Sequence, residues 1–367
     1  MQLEDPGERP KYEFVDMNTK GVEAVATAFA NQIAYCEHAD APITARVVRG
    51  ILAALEDGKS NTLLERIRGW QGAPLADALP LRVAGGIHAL HLSGTEPALA
   101  PVYAGSDADV QAIVSRALFD HEAALLPWLD GPPQTNEAGR SSNFAAAMLW
   151  LASRGLPPHF ECLEIGSSAG INLMMDRYGY DLGGVMVGPD RAAMHFRPDW
   201  KGPPPPDLPI EIVAARGCDV APVDLTDPAQ AMRLKAYIWP EHTIRFERME
   251  AAIAAATELR PELVRMNAAD FVEMQLARPQ VPGTTRVLMH SIVWQYVPED
   301  QQERVTMAME AAGARATGDA ALAWISVEAN RTVHRHELRV RYWPGGEAGE
   351  QLAWSHPHGA DIEWIAG

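Results

Sequence analysis

The chain has 367 residues, of which 47% are hydrophobic and 22% charged, a composition typical of a globular protein with one large domain or two modest ones. Lysine and arginine number 31 and aspartate and glutamate 48, and the resulting net charge of −17 argues against nucleic acid or anionic lipid as a partner. We find no apolar run long enough for a membrane helix, no secretory signal, and only three widely spaced cysteines. These features predict a cytoplasmic protein without a disulfide framework, and the acidic charge favours a small-molecule or cationic substrate over nucleic acid.

The N-terminal part of the chain has the apolar spacing of helices. Apolar residues separated by three and four positions occur in several segments, among them 22–36 and the Ala-rich 143–154. Gly155 and Pro157 end the last of these segments, and no clear strand signal precedes them. The sequence therefore predicts an all-helical N-terminal domain, residues 1–156, that serves as a cap over the substrate site.

Strand and helix patterns alternate in the remaining part of the chain, residues 157–367. The predicted strands cover 160–165, 211–215, 263–268, 286–293 and 321–327. Two alternating apolar runs near the end, around Val340 and Leu352, predict an antiparallel hairpin. A Pro-rich stretch after the first predicted strand is interpreted as an inserted loop. We therefore expect an α/β domain with a doubly wound, Rossmann-like sheet.

A glycine turn lies between the first predicted strand and a predicted helix at 171–178. Gly166 and Gly170 permit a tight turn, and a helix N-terminus after it would offer unpaired N–H groups to a ligand. Glu164 would accept a hydrogen bond from a cofactor amine or order the turn. The E-x-G-x-x-x-G pattern resembles the first motif of class I S-adenosylmethionine-dependent methyltransferases, with Ser168 at the usual middle glycine. The resemblance implies a methyltransferase-type fold with S-adenosylmethionine over the turn; the alternative is a tight turn that binds nothing.

The same letters also fit the nucleophile elbow of α/β-hydrolases, G-x-S-x-G. Ser168 would then be the nucleophile, with an acid such as Asp270 and a histidine such as His356 or His358. An elbow follows several strands of its own sheet, whereas this turn follows the first predicted strand. The topology therefore favours the cofactor turn over the hydrolase.

Carboxylates follow the second and third predicted strands. In an open parallel sheet, ligands bind beyond the carboxyl ends of the strands. A methyltransferase would use Asp219 or Asp224 for the ribose hydroxyls and Asp270 beside the adenine. The alternative for Asp270 is the N-cap of the helix that follows it.

An imidazole and an indole end the fourth predicted strand. His290 would act as a general base on the substrate, because its unperturbed pKa lies near neutrality. Trp294 or Tyr296 would face a sulfonium through its π-system. The alternative is a hydrogen-bonded core histidine with packing aromatic side chains.

A polar run precedes the Ala-rich helix and includes Asn136 and Glu137. These two residues would supply substrate contacts from a loop over the sheet edge, or they cap the helix. The paired histidines His334-x-His336 and His356-x-His358 have no third ligand at a convincing spacing, so we predict no metal site.

Six ordered motifs between about residue 20 and the end resemble one bacterial family, a domain of unknown function numbered two-three-three-two. They are QTNEAGRSS, LEIGSSAGINLMMDRYGY, RGCDVAPVDLTD, AYIWP, HSIVWQYVPE and SHPHGADIEW. The resemblance implies a methyltransferase-like second half but no established activity. The leading hypothesis is an S-adenosylmethionine-dependent methyltransferase whose small-molecule substrate lies near Asn136, Glu137, His290 and Trp294. The alternatives are a non-catalytic Rossmann-like binding protein and a hydrolase that uses Ser168.

Overall fold

The computed structural model describes residues 17–367, which form two compact units. The first unit contains the described residues up to Thr135 together with Pro228–Phe246. The second contains Asn136–Asp227 and Glu247–Gly367. The sequence predicted a single domain boundary after residue 156. In the structure, the polar run and the Ala-rich helix before that boundary belong to the second unit, and the internal segment Pro228–Phe246 belongs to the first.

The α-helices and strands of the described chain are as follows. The helices are α1 (Val22–His38), α2 (Pro42–Glu56), α3 (Thr62–Arg68), α4 (Leu79–Leu92), α5 (Ala100–Tyr103), α6 (Val110–Asp120), α7 (Glu122–Leu125), α8 (Ser141–Ser153), α9 (Pro228–Ala236), α10 (Thr243–Glu258), α11 (Ala268–Leu276) and α12 (Glu299–Gly313). The strands are β1 (His159–Ile165), β2 (Tyr178–Leu182), β3 (Val185–Val187), β4 (Met194–Phe196), β5 (Asp199–Lys201), β6 (Glu211–Asp219), β7 (Glu262–Arg265), β8 (Thr284–Ser291), β9 (Ala320–Asn330), β10 (Arg335–Trp343), β11 (Gly346–Ser355) and β12 (Asp361–Trp364). Within residues 17–367, none of the helices combines the length and apolar character needed to span a membrane.

The first unit is helical around an apolar core. Phe29 and Cys36 in α1 are fully buried, as their helical spacing predicts, and α2 packs against α1 and α6. The start of α2 is capped by a distant carboxylate: Glu241 Oε1 accepts hydrogen bonds from the amides of Ile43 (2.6 Å) and Thr44 (2.9 Å). This contact, together with the packing of α9 against α4, joins the segment Pro228–Phe246 to the helical unit.

The second unit contains a nine-stranded, mostly parallel sheet in the order β5-β12-β11-β10-β9-β8-β1-β6-β7. Strands β7, β6, β1, β8 and β9 are parallel to their neighbours, and β9 to β12 are joined by antiparallel pairing. The predicted terminal hairpin is formed by β10 and β11. Strand β1 lies between β6 and β8, so the carboxyl ends of these three strands and of β9 meet at one edge.

The predicted helix after the glycine turn is wrong. The chain instead forms a short 3-10 segment, Asn172–Arg177, with a non-helical residue inside it, and passes directly into β2. Tyr178 Oη donates to the carbonyl of Ile171 (2.8 Å), whereas Tyr180 Oη donates to Ser141 Oγ (2.9 Å) and lies 3.2 Å from the carbonyl oxygen of Met175. The carbonyl of Ile171, which would accept from the amide of Met175 in an α-helix, accepts here from a tyrosine hydroxyl and from the amide of Met174 (3.3 Å).

The inserted stretch is also more than a loop. Strands β2, β3 and β4 form a separate small sheet in the order β3-β2-β4, and β5 pairs with β12 at the edge of the large sheet. The rings of Tyr178 and Tyr180 pack against Phe196 with centroids 5.6 and 5.7 Å apart. This aromatic cluster gives the small sheet an apolar contact surface. The prolines of the stretch had instead indicated a loop.

Candidate functional site

The glycine turn follows β1 and is stabilised by its own neighbours. Asn136 Oδ1 accepts from the amides of Ala169 (3.1 Å) and Ile171 (3.0 Å), and Asp219 Oδ2 accepts from the amide of Ser168 (2.8 Å). The amides of Ser167 and Gly170 donate to backbone carbonyls of Cys218 and Ser167. The prediction that unpaired N–H groups face a ligand here is therefore wrong, because side-chain and backbone oxygens already occupy these donors.

Asn136 and Glu137 do not cap the Ala-rich helix. Helix α8 starts at Ser141, and its N-cap position is held by Arg140 without a side-chain cap. Asn136 instead bonds the glycine turn, and the buried Glu137 carboxylate lies 3.9 Å from Arg248 and 3.8 Å from His358. Asn136 thus accepts hydrogen bonds from the turn amides that we expected to bind a ligand.

The structure separates the three candidate aspartates. Asp219, at the end of β6, contacts the glycine turn and also accepts from the amide of Ala221 (2.8 Å). Asp224 bonds Thr226 and lies 3.2 Å from Arg260, which leaves Asp219 as the carboxylate beside the turn. Asp270 is exposed in the first turn of α11, where Arg304 and the N-cap residue Asn267 lower the pKa of its carboxyl group.

Glu164 is a buried carboxylate at the end of β1. It is 2% exposed, and its Oε1 accepts from Asn172 Nδ2 at 2.9 Å. Its Oε2 has no hydrogen-bond partner among the described residues. Burial raises the pKa of this carboxyl group to about 7, so a positive group placed beside it would favour its ionised form.

Ser168 has two features that a nucleophile elbow would share. Its φ of +51° lies in the left-handed region, and its buried hydroxyl has no hydrogen-bond partner within residues 17–367. The expected triad is not assembled, because no histidine hydrogen-bonds this hydroxyl in that part of the chain and Asp270 pairs with Arg304. The amide of Ser168, by contrast, is held by Asp219.

His290 and Glu328 form a buried pair at the ends of β8 and β9. His290 Nδ1 lies 2.7 Å from Glu328 Oε1, and the side chains are 2% and 20% exposed. Because a carboxylate only accepts, Nδ1 carries the hydrogen and Nε2 carries the lone pair in the neutral ring. This Nε2 is buried and has no hydrogen-bond partner in the described chain. An imidazole held in this way can take up a proton.

Two tryptophans pack beside the histidine ring, and their own ring centroids are 5.5 Å apart. Trp294 stacks on His290 with centroids 5.0 Å apart, and Trp324 lies at 6.1 Å in a tilted orientation. Glu328 Oε1 also accepts from the amides of Val293 and Trp294, both at 3.2 Å. One carboxylate oxygen therefore orients the imidazole and also holds the loop that carries Trp294.

The loop after β8 joins the two parts of the site. A β-carbon at Gly166, where φ is +67°, would collide with the side chain of Val293. Ile292, one residue earlier, has a φ of +54°, which is strained for a β-branched residue. The glycine turn and the histidine pair are therefore in direct packing contact through Val293.

Sequence reasoning named most of these groups but missed some of their partners. The structure brings Asn136, Glu164, Ser168 and Asp219 together around the turn, and His290 together with Trp294; it leaves Asp270 on the surface. Glu328 had a usable signal, since it ends the fifth predicted strand. Asn172 and Trp324 had none, because their roles depend on neighbours distant in sequence.

Residues 26–364 match the bacterial family described as "Uncharacterized protein conserved in bacteria (DUF2332)", and the chain belongs to this family. No curated protein and no solved structure shows significant similarity to the chain. Within residues 17–367, no three histidine, cysteine, aspartate or glutamate side chains are grouped as a metal site would require.

Proposed function

We propose that this protein is an S-adenosylmethionine-dependent methyltransferase that acts on a small molecule. The observation that carries the proposal is Asp219, a carboxylate at the end of β6 that is hydrogen-bonded to the glycine turn after β1. Counted along the chain, the five parallel strands lie in the order third, second, first, fourth, fifth, the order of doubly wound nucleotide-binding sheets. In such sheets an acidic residue in this region accepts from ribose hydroxyls.

The amides of the turn already donate to side chains of the protein, which favours a cofactor without phosphates. Pyrophosphate binding at such a turn requires free N–H groups and the N-terminus of an α-helix. Here Asn136 and Asp219 occupy the amides of Ser168, Ala169 and Ile171, and the segment that follows is a short 3-10 helix. Among the nucleoside cofactors of doubly wound sheets, S-adenosylmethionine needs neither feature.

The remaining groups of the site suit this cofactor and a proton-bearing substrate. When bound, S-adenosylmethionine would supply a methyl group on a positively charged sulfur. Asp219 would accept from the ribose hydroxyls, and Glu164 has an unpartnered oxygen for an ammonium group. His290 would hold the proton of the substrate, and Trp294 would exclude water beside it. Asp270 has no part in the proposal because it is exposed and paired with Arg304.

Calorimetric titration with S-adenosylmethionine and S-adenosylhomocysteine tests the proposal. We expect binding to the wild-type protein and a loss of roughly tenfold or more in Asp219→Asn, the cost of a charge-assisted hydrogen bond. The matched control is Asp224→Asn, which changes a nearby carboxylate that bonds Thr226 instead of the turn. NAD and ATP should not bind. Absence of heat with both adenosyl compounds would exclude the methyltransferase, and binding without turnover on an acceptor panel would favour the non-catalytic binding protein.

A serine hydrolase is the second candidate, favoured by the left-handed φ and the unpartnered hydroxyl of Ser168. A fluorophosphonate probe should label the wild-type protein and not Ser168→Ala if this candidate is right. Under the methyltransferase proposal neither protein is labelled. Ser168→Gly, which restores the usual middle glycine, should then bind S-adenosylmethionine at least as tightly as the wild type.

A further inference from the structure

The strongest unexplained feature of the second unit is a pair of buried nitrogens without hydrogen-bond partners. His290 Nε2 and Trp324 Nε1 are both buried, and neither has a partner within the described residues. Their rings have centroids 6.1 Å apart. Buried polar groups are normally satisfied, so each of these two nitrogens is a candidate contact for a bound group.

The chemistry of the two nitrogens is complementary to a hydroxyl or thiol. Glu328 fixes the hydrogen of His290 on Nδ1, which leaves Nε2 as an acceptor. The indole Nε1 of Trp324 can only donate. A hydroxyl group both donates and accepts, so its chemistry suits either atom, whereas a tertiary amine or a thioether suits only the indole.

We propose that His290 is the proton acceptor for a substrate hydroxyl or thiol and that Glu328 is its positioning residue. This inference deepens the proposed methyltransferase function and rests on it for the identity of the reaction. The proton of the substrate moves to Nε2, and the ring becomes an imidazolium that faces the Glu328 carboxylate. The electron pair of the broken bond stays on the oxygen or sulfur, which becomes the nucleophile. The imidazolium later returns the proton to water.

Glu328 suits a positioning role because of what else it touches. Its Oε1 accepts from Nδ1 and from the amides of Val293 and Trp294, so the ring and its stacking partner share one anchor. Trp294 covers one face of the imidazole and restricts its rotation. The neighbouring carboxylate Glu337 is directly opposite Glu328 on β10, but it accepts from Asn330, whereas the partner of His290 is Glu328.

The test is the tautomer of His290, measured by nitrogen-15 NMR of the histidine-labelled full chain at alkaline pH, with His290→Gln to assign the signal. In the wild type we expect the Nδ1–H form in roughly tenfold excess or more, since its hydrogen bond to a carboxylate is charge-assisted. Glu328→Gln should reduce this preference by roughly tenfold, because a neutral amide oxygen is a weaker acceptor. Glu337→Gln is the matched control and should leave the signal unchanged.

A wild-type His290 that is mainly Nε2–H would overturn the inference, and so would an equal preference in the wild type and Glu328→Gln. The wild-type spectrum gives an answer even if the variant fails to fold. The outcomes are also separable from those for the cofactor. Adenosyl binding with the wrong tautomer removes only the role of His290, and the right tautomer without adenosyl binding removes only the methyltransferase.

Discussion

The two parts of the candidate site, which lie at one edge of the same sheet, differ in how their polar groups are satisfied. At the glycine turn, oxygens of Asn136 and Asp219 satisfy the amides of Ser168, Ala169 and Ile171, so the turn is closed by the chain itself. At the histidine pair, one nitrogen of His290 is fixed by Glu328 and the other has no partner in the described chain. The comparison teaches that the amides of a familiar motif can be satisfied by the chain itself, while a histidine beside it keeps one ring nitrogen without a partner in the described chain.

The largest expected effect tests the contact between these two parts. Gly166→Ala should destabilise the second unit by about 4 kcal/mol, because a left-handed alanine is strained and its β-carbon collides with Val293. Gly155→Ala is the control: its φ is +88°, yet nothing lies within 4 Å of the new carbon. Urea unfolding should show that this control lowers the free energy of unfolding by only about 1 kcal/mol. Equal losses in the two variants would show that Val293 does not press on the turn.

The second prediction concerns the hydrogen bonds that Asn136 accepts from the glycine turn. Asn136→Ala should cost about 3 to 4 kcal/mol, since the amides of Ala169 and Ile171 would both be left buried without an acceptor. Asn136→Asp preserves an acceptor in the same place and should retain most of the stability. The midpoint and slope of urea unfolding measure both. A loss in Asn136→Ala no greater than that of an ordinary surface substitution would contradict the assignment of Asn136 as the cap of the turn.

The third prediction concerns the buried carboxylate beneath the turn. Burial raises the pKa of Glu164 from 4.5 to about 7. The folded state therefore binds a proton more tightly than the unfolded state, and this contribution to stability is complete below pH about 4.5 and is lost as the pH rises through about 7.

Glu164→Gln has no such titration. Relative to the wild type, its stability should therefore rise by roughly 2 to 3 kcal/mol between pH 5 and pH 8, the part of the linkage free energy of this pKa rise that falls in that range. Thermal unfolding across this pH range measures the difference, with the exposed Glu258→Gln as control. A difference that does not grow with pH would contradict the raised pKa.

The smallest expected effect separates backbone strain from the buried hydroxyl at Ser168. Ser168→Gly should stabilise the protein by about 1 kcal/mol, because glycine adopts the φ of +51° without strain and removes the unpartnered hydroxyl. Ser168→Ala removes only the hydroxyl, so the difference between the two variants reports the backbone. Chemical unfolding of both variants gives the values; a destabilised Ser168→Gly would mean that the serine has a partner important for folding.

Much of the strand pattern was readable from the sequence, whereas the contacts of the site were not. The segments 160–165, 286–293 and 321–327 overlap β1, β8 and β9, because buried parallel strands are short apolar runs. The segment after Gly170 has helical residues but no α-helix, since Tyr178 donates to the carbonyl of Ile171 and the backbone leaves the helical conformation at Met174. Nothing in the local pattern of residues 171–178 records that competition.

The sequence by itself determined where the chain extends, where it turns at Gly166 and Gly170, and which polar residues end the strands. Only the tertiary structure decided their partners. Asn136 reaches an amide 33 positions away, His290 meets a carboxylate 38 positions away, and Glu241 caps a helix 198 positions away. Apolar periodicity and glycine are properties of neighbouring residues, but a hydrogen bond across such distances exists only once packing has joined the strands and loops that carry its two ends.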